Sequence, residues 1–248
     1  MSYEKLATVY DHLMEDVPYD EWLRYVQIEK ERFAINGNRI LDVACGTGEL
    51  SILYAKHQLD VTGVDLSSEM LMVARDKAET ERVKIDLFQQ DMSELEGLGQ
   101  FDVITIFCDS LNYLETKEAT QATFARVYDH LKDGGLFIFD VHSQYKVNHL
   151  YLQDSYNSVE DKVSYIWNSF PGLEEDSVEH ELTFFVLDEP TGLYERFDEL
   201  HKQRTYPIDQ YTTWLEDAKF TIRSVSADFK LERPNEKSER IFFTCQKR

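Results

Sequence analysis

The chain has 248 residues, of which 26 are basic and 47 acidic, so its formal charge at pH 7 is −21. A field of that sign repels polyphosphate and argues against a nucleic-acid substrate. The apolar fraction of 42% indicates a packed globular chain, and no apolar run is long enough to predict a membrane-spanning helix.

The cysteines and the N-terminus indicate where the protein functions. Cys45, Cys108 and Cys245 are odd in number and far apart, which predicts reduced thiols rather than disulfides or a zinc site. The first ten residues carry charge and lack the apolar stretch of a signal peptide. We therefore expect a cytoplasmic protein with no membrane partner.

Two helices are predicted before the first strand, and together they would form an N-terminal helical lid over residues 1–36. Apolar positions recur at helical spacing over residues 3–18 and stop before Pro18. Asp20 is the predicted cap of the second helix, which Asn36-Gly37 would end. Periodicity leaves open whether these helices pack as plain core or close over a ligand.

From Arg39 onward, strands and helices alternate. The predicted strands cover 39–44, 60–65, 84–89, 101–107 and 136–141, and the predicted helices cover 48–58, 68–80 and 116–132. Ser67 or Ser68 would cap the second of these helices, Thr116 would begin the third, and Asp133-Gly134-Gly135 would end it. Consecutive β-α-β units predict an α/β fold whose parallel sheet carries helices on both faces.

The alternation breaks between residues 145 and 206, where the pattern has a period of two and acids outnumber bases. It predicts an antiparallel insertion of three or four strands. A helix and two strands, 221–230 and 240–246, follow Pro207. The predicted organisation is thus a helical lid (1–36), a central α/β domain (37–144 plus 207–248) and a β insertion (145–206) that covers a substrate.

A strand, a glycine loop and a helix follow one another in residues 40–50, and this arrangement predicts a nucleotide site. The loop lacks the third glycine of a dinucleotide fingerprint, because Ser51 stands in its place. Asp42 lies at the carboxyl end of the strand, where a carboxylate is costly unless it meets a cation or N–H groups. The α-amino group of a ligand would supply that partner.

Acids also end the next two strands. Asp65 lies about 20 residues past the loop, a position that suits hydrogen bonding to a ribose diol. Asp91 could accept from an adenine amino group while Met92 packs against the ring. The three acids would meet an ammonium, a ribose and an adenine in turn, and this set favours a cationic amino-acid nucleoside over a diphosphate.

These motifs resemble those of the class I S-adenosylmethionine (SAM)-dependent methyltransferases. Leu41–Gly48 is similar to their first motif, Asp65 to their ribose-binding acid, and Asp91-Met92 to their adenine-binding pair. Phe101–Asp109 and Leu131–Leu136 resemble their fourth-strand motif and the turn into their fifth strand. The layout, with front helices and a β insertion, is similar to the glycine N-methyltransferase-like branch and to bacterial small-molecule methyltransferases.

The resemblance implies a Rossmann-like sheet of seven strands, mostly parallel with a closing antiparallel strand. It implies SAM as the methyl donor and S-adenosylhomocysteine (SAH) as the product. The cofactor-binding residues it implies are Asp42, Ala44, Cys45, Gly46, Gly48, Asp65, Leu66, Met70, Asp91, Met92, Cys108 and Asp109.

Methyl transfer from a sulfonium is an in-line displacement, so the protein must mainly align the nucleophile and exclude water. An amine nucleophile also needs a proton acceptor. The candidate catalytic residues are His142, Tyr113 and Tyr10; a loop histidine or core tyrosines are the structural alternatives. Asp109 and Asn112 would orient a substrate or cap the following helix. No metal-binding or nucleophile-elbow motif is present, so we expect no metal.

The sequence therefore predicts a SAM-dependent methyltransferase that acts on nitrogen or oxygen of a small molecule, as a monomer or a homodimer. Three alternatives remain open at this stage. They are methylation of a tRNA or protein side chain, non-catalytic binding of SAM, and a dinucleotide-dependent reductase, which Ser51 and Asp42 disfavour.

Overall fold

The structure is a computed structural model that describes residues 9–11, 13–153 and 155–248. Its helices are α1 (Tyr19–Arg32), α2 (Glu49–Lys56), α3 (Ser68–Glu81), α4 (Lys117–His130) and α5 (Ile208–Asp217). Its strands are β1 (Arg39–Val43), β2 (Asp60–Asp65), β3 (Ile85–Gln89), β4 (Phe101–Ile106), β5 (Leu131–His142), β6 (Tyr156–Val159), β7 (Val163–Pro171), β8 (Ser177–Asp188), β9 (Leu193–Arg204), β10 (Phe220–Ala227) and β11 (Arg240–Lys247).

The larger sheet has seven strands in the order β10-β11-β5-β4-β1-β2-β3. β11 runs antiparallel to both neighbours, and the pairs between β5 and β3 are all parallel. The predicted fold class, a Rossmann-like sheet with one antiparallel closing strand, is confirmed. Strand order reverses between β4 and β1, and open α/β sheets bind ligands at the carboxyl ends beside such a reversal.

Helices cover both faces of this sheet. α1 and α2 pack on one face, where Tyr25 stacks on Phe242 of β11 at 4.6 Å between ring centroids. α4 and α5 cover the other face through residues that include Phe124 and Trp214. The central strands β1, β4 and β5 are therefore buried along most of their length, whereas β3, at the sheet edge, is largely exposed.

Helix starts follow the predicted caps in two of three cases. The Ser67 hydroxyl accepts from the Met70 N–H of α3, and the Thr116 hydroxyl accepts from the Ala119 N–H of α4, both at 3.2 Å. Asp20, however, is not the cap of α1. Pro18 holds that position, so Tyr19 opens the helix and Asp20 lies in its first turn, where a carboxylate favours the helix dipole.

The prediction that Asp133-Gly134-Gly135 ends α4 is wrong. The helix ends at His130, and Leu131 is already extended and paired with Phe101. The register then shifts so that Val103 faces Leu136, which places the two glycines in an irregularity within β5. A Cβ on Gly135 would lie 2.9 Å from a backbone carbonyl oxygen, so the glycine permits a close backbone approach instead of a helix stop.

The insertion folds into a second sheet, with the antiparallel order β6-β7-β8-β9. Its inner face is buried at Val178, His180, Leu182 and Phe184, while alternate positions face solvent. The first predicted helix, over residues 3–18, lies partly outside the described residues. Within the described part of that range, the helical residues are Val9, Tyr10, Asp11 and Leu13. In the part of the chain that the structure describes, no helix has the length and apolar character needed to cross a membrane.

Candidate active site

The glycine loop after β1 leaves one side open. Ala44, Gly46 and Gly48 adopt positive φ angles of 57°, 55° and 82°. A Cβ added to Gly46 would meet no atom within 4 Å, whereas one on Gly48 would lie 2.9 Å from the Ala74 Cβ of α3. Gly48 is therefore needed for close helix packing, and Gly46 presents bare backbone to the space where a ligand would lie.

Asp42 lies behind this loop and is 3% exposed. Its Oδ2 accepts from the Ser51 hydroxyl at 2.6 Å, and its Oδ1 accepts from the Thr105 hydroxyl at 3.2 Å. Burial raises the pKa of Asp42 to about 6. In the structure, Asp42 of β1 is thus hydrogen-bonded to α2 and to β4. Its contact with a ligand ammonium stays a prediction. Ser51, which stands where a dinucleotide fingerprint has its third glycine, is thus a hydrogen-bond partner of this carboxylate.

Asp65, at the end of β2, lies beside the loop. Its Oδ2 accepts from the Gly46 N–H at 2.8 Å, and its Oδ1 accepts from the Ser67 N–H at 2.9 Å. Burial raises the pKa of this carboxyl group. Next to it, Leu66 is 64% exposed, whereas Met70 is buried in one apolar cluster with Val9. The ribose contact of Asp65 stays a prediction, made from a carboxylate that backbone N–H groups hold in place.

The third predicted acid caps a local turn. Asp91 Oδ1 accepts from both the N–H and the hydroxyl of Ser93 at 2.7 Å and so begins the short 3₁₀ turn Met92–Glu94. Met92 packs against the main core. Their adenine contacts stay predictions.

Asp109 is the central residue of a second group of site residues, which lies at the ends of β4 and β5. It follows Cys108 in a turn where both residues have a φ of 53°, a strained conformation for residues with side chains. Its carboxylate meets Arg240 Nη2 at 2.9 Å, Gln203 Nε2 at 2.7 Å and His142 Nε2 at 3.2 Å. Burial opposes ionisation of Asp109, but the facing His142 and Arg240 outweigh it and hold its pKa below the usual range.

Arg240 joins two buried carboxylates. It pairs with Asp109 and with Asp140, and its guanidinium lies 5.2 Å from the ring centroid of Trp22. Asp140 is fully buried and also accepts from Trp22 Nε1 at 3.2 Å and from the Asp109 N–H at 3.3 Å. Sequence reasoning missed this pair. Asp140 could have been suspected, because it is an acid within the apolar run 136–141. No feature of the sequence near Arg240 indicates its role.

His142 ends β5 and is 2% exposed. Burial lowers its pKa to about 4, so the imidazole is neutral at pH 7 and Arg240 is then the cation that faces Asp109. Its Nε2 lies 3.2 Å from Asp109 Oδ2 and 3.0 Å from the Tyr151 hydroxyl. An ionised Asp109 requires the proton on Nε2, which leaves the lone pair on Nδ1. Among the described residues, Nδ1 has no hydrogen-bond partner.

The remaining candidates lie around this pair. Tyr113 is 40% exposed, and its hydroxyl lies 3.2 Å from Nδ1 of His201 on β9. Tyr10 packs beside Val9, and burial raises the pKa of its hydroxyl. Asn112 donates to the Arg204 carbonyl at 2.8 Å and accepts from the His142 N–H at 2.9 Å, so it fixes the end of β5.

Comparison with known proteins identifies the family of this chain. A family model described as a methyltransferase domain matches residues 40–135. A protein of Geobacillus sp. (strain WCH70), whose name assigns it to the methyltransferases without a substrate, is 51% identical over 248 residues, with both chains fully covered.

Solved structures extend the likeness to the whole fold. A SAM-dependent methyltransferase from Clostridium acetobutylicum ATCC 824 is 32% identical and superposes with a TM-score of 0.88 over 100% of this chain and 99% of that chain. The sugar N-methyltransferase KedS8 from Streptoalloteichus sp ATCC 53650 is 20% identical, with a TM-score of 0.82 over 97% and 93% of the two chains, and shares the fold. The chain therefore belongs to the class I SAM-dependent methyltransferases.

Proposed function

We propose that this methyltransferase acts on nitrogen or oxygen of a small molecule that binds between loop 108–113 and the inner face of β9. The observation that carries the proposal is the buried Asp109–His142 pair, whose neutral imidazole keeps a lone pair on Nδ1. β9 covers this pair, because Gln203 binds Asp109 and His201 meets Tyr113. Residues 145–206 would thus serve as the substrate cover.

SAM, when bound, supplies a methyl group on a positively charged sulfonium. The open backbone at Gly46, with Ala44, Cys45 and Gly48, would hold its methionyl end. Asp65 would bind the ribose, and Asp91 and Met92 would bind the adenine, with Leu66 and Met70 beside them. Cys108 and Asp109 would face the methyl group from β4. Acids suit this ligand because it is cationic. Residues 44–48 carry no basic side chain for a diphosphate, and Lys77, which reaches Thr47, is paired with Asp11 and Glu49.

His142 would accept the proton that the acceptor loses. Asp109 keeps the proton on His142 Nε2 and stabilises the imidazolium that forms when Nδ1 takes up a second proton. Tyr113 and Tyr10 would orient the acceptor and exclude water. Alignment and water exclusion contribute the larger share of rate, because the leaving group is already good.

An acceptor with an amine or hydroxyl group fits these residues. KedS8, which shares the fold, is by its title a sugar N-methyltransferase, and a small polar acceptor suits a site enclosed by β9. The charge of −21 opposes a tRNA substrate. A protein substrate would have to pass the cover formed by β9.

The decisive experiment measures transfer of a radiolabelled methyl group from SAM to amines, amino sugars, phenols, peptides and tRNA. We expect transfer to a small amine or hydroxyl compound. With that acceptor, His142→Asn should lower kcat by about 100-fold, the usual size of a lost proton acceptor, and leave SAH affinity within about twofold. His57→Asn, at an exposed histidine, is the matched control.

Three outcomes would contradict the proposal. Transfer to tRNA or peptides alone would overturn the small-molecule acceptor. A His142→Asn enzyme as active as the His57→Asn control would overturn the proton-acceptor role. SAH binding without transfer to any compound class would favour a non-catalytic SAM-binding protein.

A further inference from the structure

Residues 9–11 and 13–17, here called the N-terminal segment, cross the glycine loop. Asp11 Oδ1 accepts from the Thr47 hydroxyl at 2.6 Å, and Asp11 Oδ2 lies 3.0 Å from Lys77 Nζ. The same ammonium lies 3.5 Å from the Thr47 hydroxyl and pairs with the Glu49 carboxylate. Lys77, on α3, therefore touches both the segment and the loop.

The segment also contacts the insertion. Val9 is 3% exposed and packs in one apolar cluster with Met70, Leu182 and Phe184. Thr47, between the two loop glycines, is 2% exposed under this cover. A cofactor that binds against Gly46 would therefore lie next to Thr47, whose hydroxyl is hydrogen-bonded to Asp11 of the segment.

Charge makes Lys77 the controlling residue of this contact. Asp11 and Glu49 both touch the same ammonium, so its removal would leave two carboxylates facing each other across the join between segment and loop. Because like charges repel, the Asp11 and Glu49 carboxylates would then push the segment away from the loop. The Asp11–Thr47 hydrogen bond and the packing of Val9 would oppose this repulsion.

We infer that Lys77 is a positioning residue that holds the N-terminal segment closed over the cofactor loop. Its ion pair with Asp11 breaks and re-forms as SAM enters and SAH leaves. The side chains involved are 24% (Lys77), 41% (Asp11) and 37% (Glu49) exposed, so the contact is screened by salt and of modest strength. Such a contact suits a cover that must open in each catalytic cycle. The inference rests on cofactor binding and does not depend on the acceptor.

The test compares Lys77→Ala with Lys56→Ala. Lys56 pairs with Glu81 at 2.8 Å, so this control also removes an ion pair between α2 and α3 but leaves the segment untouched. Release of radiolabelled SAH, chased with unlabelled SAH, should be about fivefold faster in Lys77→Ala, the size expected for a partly exposed ion pair. Raising NaCl should speed release from the wild type and from Lys56→Ala, with less effect on Lys77→Ala.

Hydrogen exchange provides the second readout, because a merely structural loss would not be confined to one segment. Amides of residues 9–17 should exchange faster in Lys77→Ala than in Lys56→Ala, while the melting temperatures of the two variants stay similar. Equal SAH release rates in the two variants, or equal exchange in residues 9–17, would overturn the inference. Asp11→Asn, which keeps an acceptor for Thr47, should fall between the wild type and Lys77→Ala.

Discussion

At the scale of single residues, two buried groups titrate with opposite effects on stability. The pKa of Asp42 rises from 3.8 to about 6 on folding. Its protonation therefore stabilises the folded state fully below pH 3.8, and this stabilisation is lost as the pH rises to 6. The pKa of His142 falls from 6.5 to about 4, so its contribution is present above pH 6.5 and is lost as the pH falls. Between pH 4 and 6 the two trends oppose each other.

In Asp42→Asn, the free energy of unfolding should follow the titration of His142 without the opposing effect of Asp42. Relative to the wild type, the variant's free energy of unfolding should rise by about 2 kcal/mol between pH 4 and pH 7, because the raised carboxyl pKa is removed. Urea unfolding at several pH values measures this difference. Asp133→Asn, at an exposed aspartate, should show no such change. A difference that is constant with pH would mean that Asp42 is ionised throughout.

Asp65→Ala should weaken SAH binding by more than tenfold. The substitution removes the predicted ribose contact and also frees the Gly46 N–H that the carboxylate now holds. Isothermal titration calorimetry gives the affinity, with Asp60→Ala at the exposed start of the same strand as control. Equal affinities in the two variants would rule out a role for Asp65 in the cofactor site.

Residues near a strand end could be predicted, whereas long-range partners could not. Asp42, Asp65 and Asp109 lie at strand ends because the alternation of strands and helices fixes where each strand stops. The hydrogen-bond partners of these acids could not be predicted. The sequence indicates only that Ser51 stands in place of a third glycine, and not that its hydroxyl binds Asp42. Arg240 lies 131 residues from Asp109, and only the sheet order brings them together.

At the scale of elements, the turn after β4 depends on β11. Cys108 and Asp109 hold positive φ angles. Arg240 donates to the Asp109 carboxylate and Asp140 accepts from the Asp109 N–H, and these two hydrogen bonds oppose relaxation of that turn. A positively charged side chain is needed there because two buried carboxylates converge on it.

Arg240→Met should therefore destabilise the fold by about 3–5 kcal/mol, the usual cost of removing one partner from a buried charge cluster. Chemical denaturation at pH 7 measures the loss. Arg223→Met, on β10, removes a guanidinium that lies over the Phe33 ring instead and should cost far less. Similar losses in the two variants would show that the cluster is not held by the charge of Arg240.

Element types followed the periodicity closely because the helices of the central sheet have apolar stripes and its central strands, such as β1 and β4, are buried along most of their length. The errors arose where one residue can serve two purposes. Gly134 and Gly135 were interpreted as a helix end, yet they permit close backbone contact within β5. Asp20 was interpreted as a cap, yet Pro18 precedes it and opens α1 one residue earlier.

At the scale of the whole molecule, the two sheets meet at the candidate active site. The β insertion contributes His201 and Gln203, and the larger sheet contributes Asp109 and His142. Periodicity could predict that the insertion exists, but it could not predict which of its side chains face the larger sheet. That choice depends on the register of β8 against β9, which a one-residue slip would invert.

The position of β11 also has a consequence for how the protein is made. This late segment of the chain lies between β5 and β10, so the sheet is incomplete until residues 240–247 have been synthesised. Until then, Asp109 and Asp140 lack the Arg240 charge that permits their burial, and a nascent chain keeps this part of the site open to water. Because a domain folds as a unit, we expect the acceptor side of the site to close only after residues 240–247 have been synthesised.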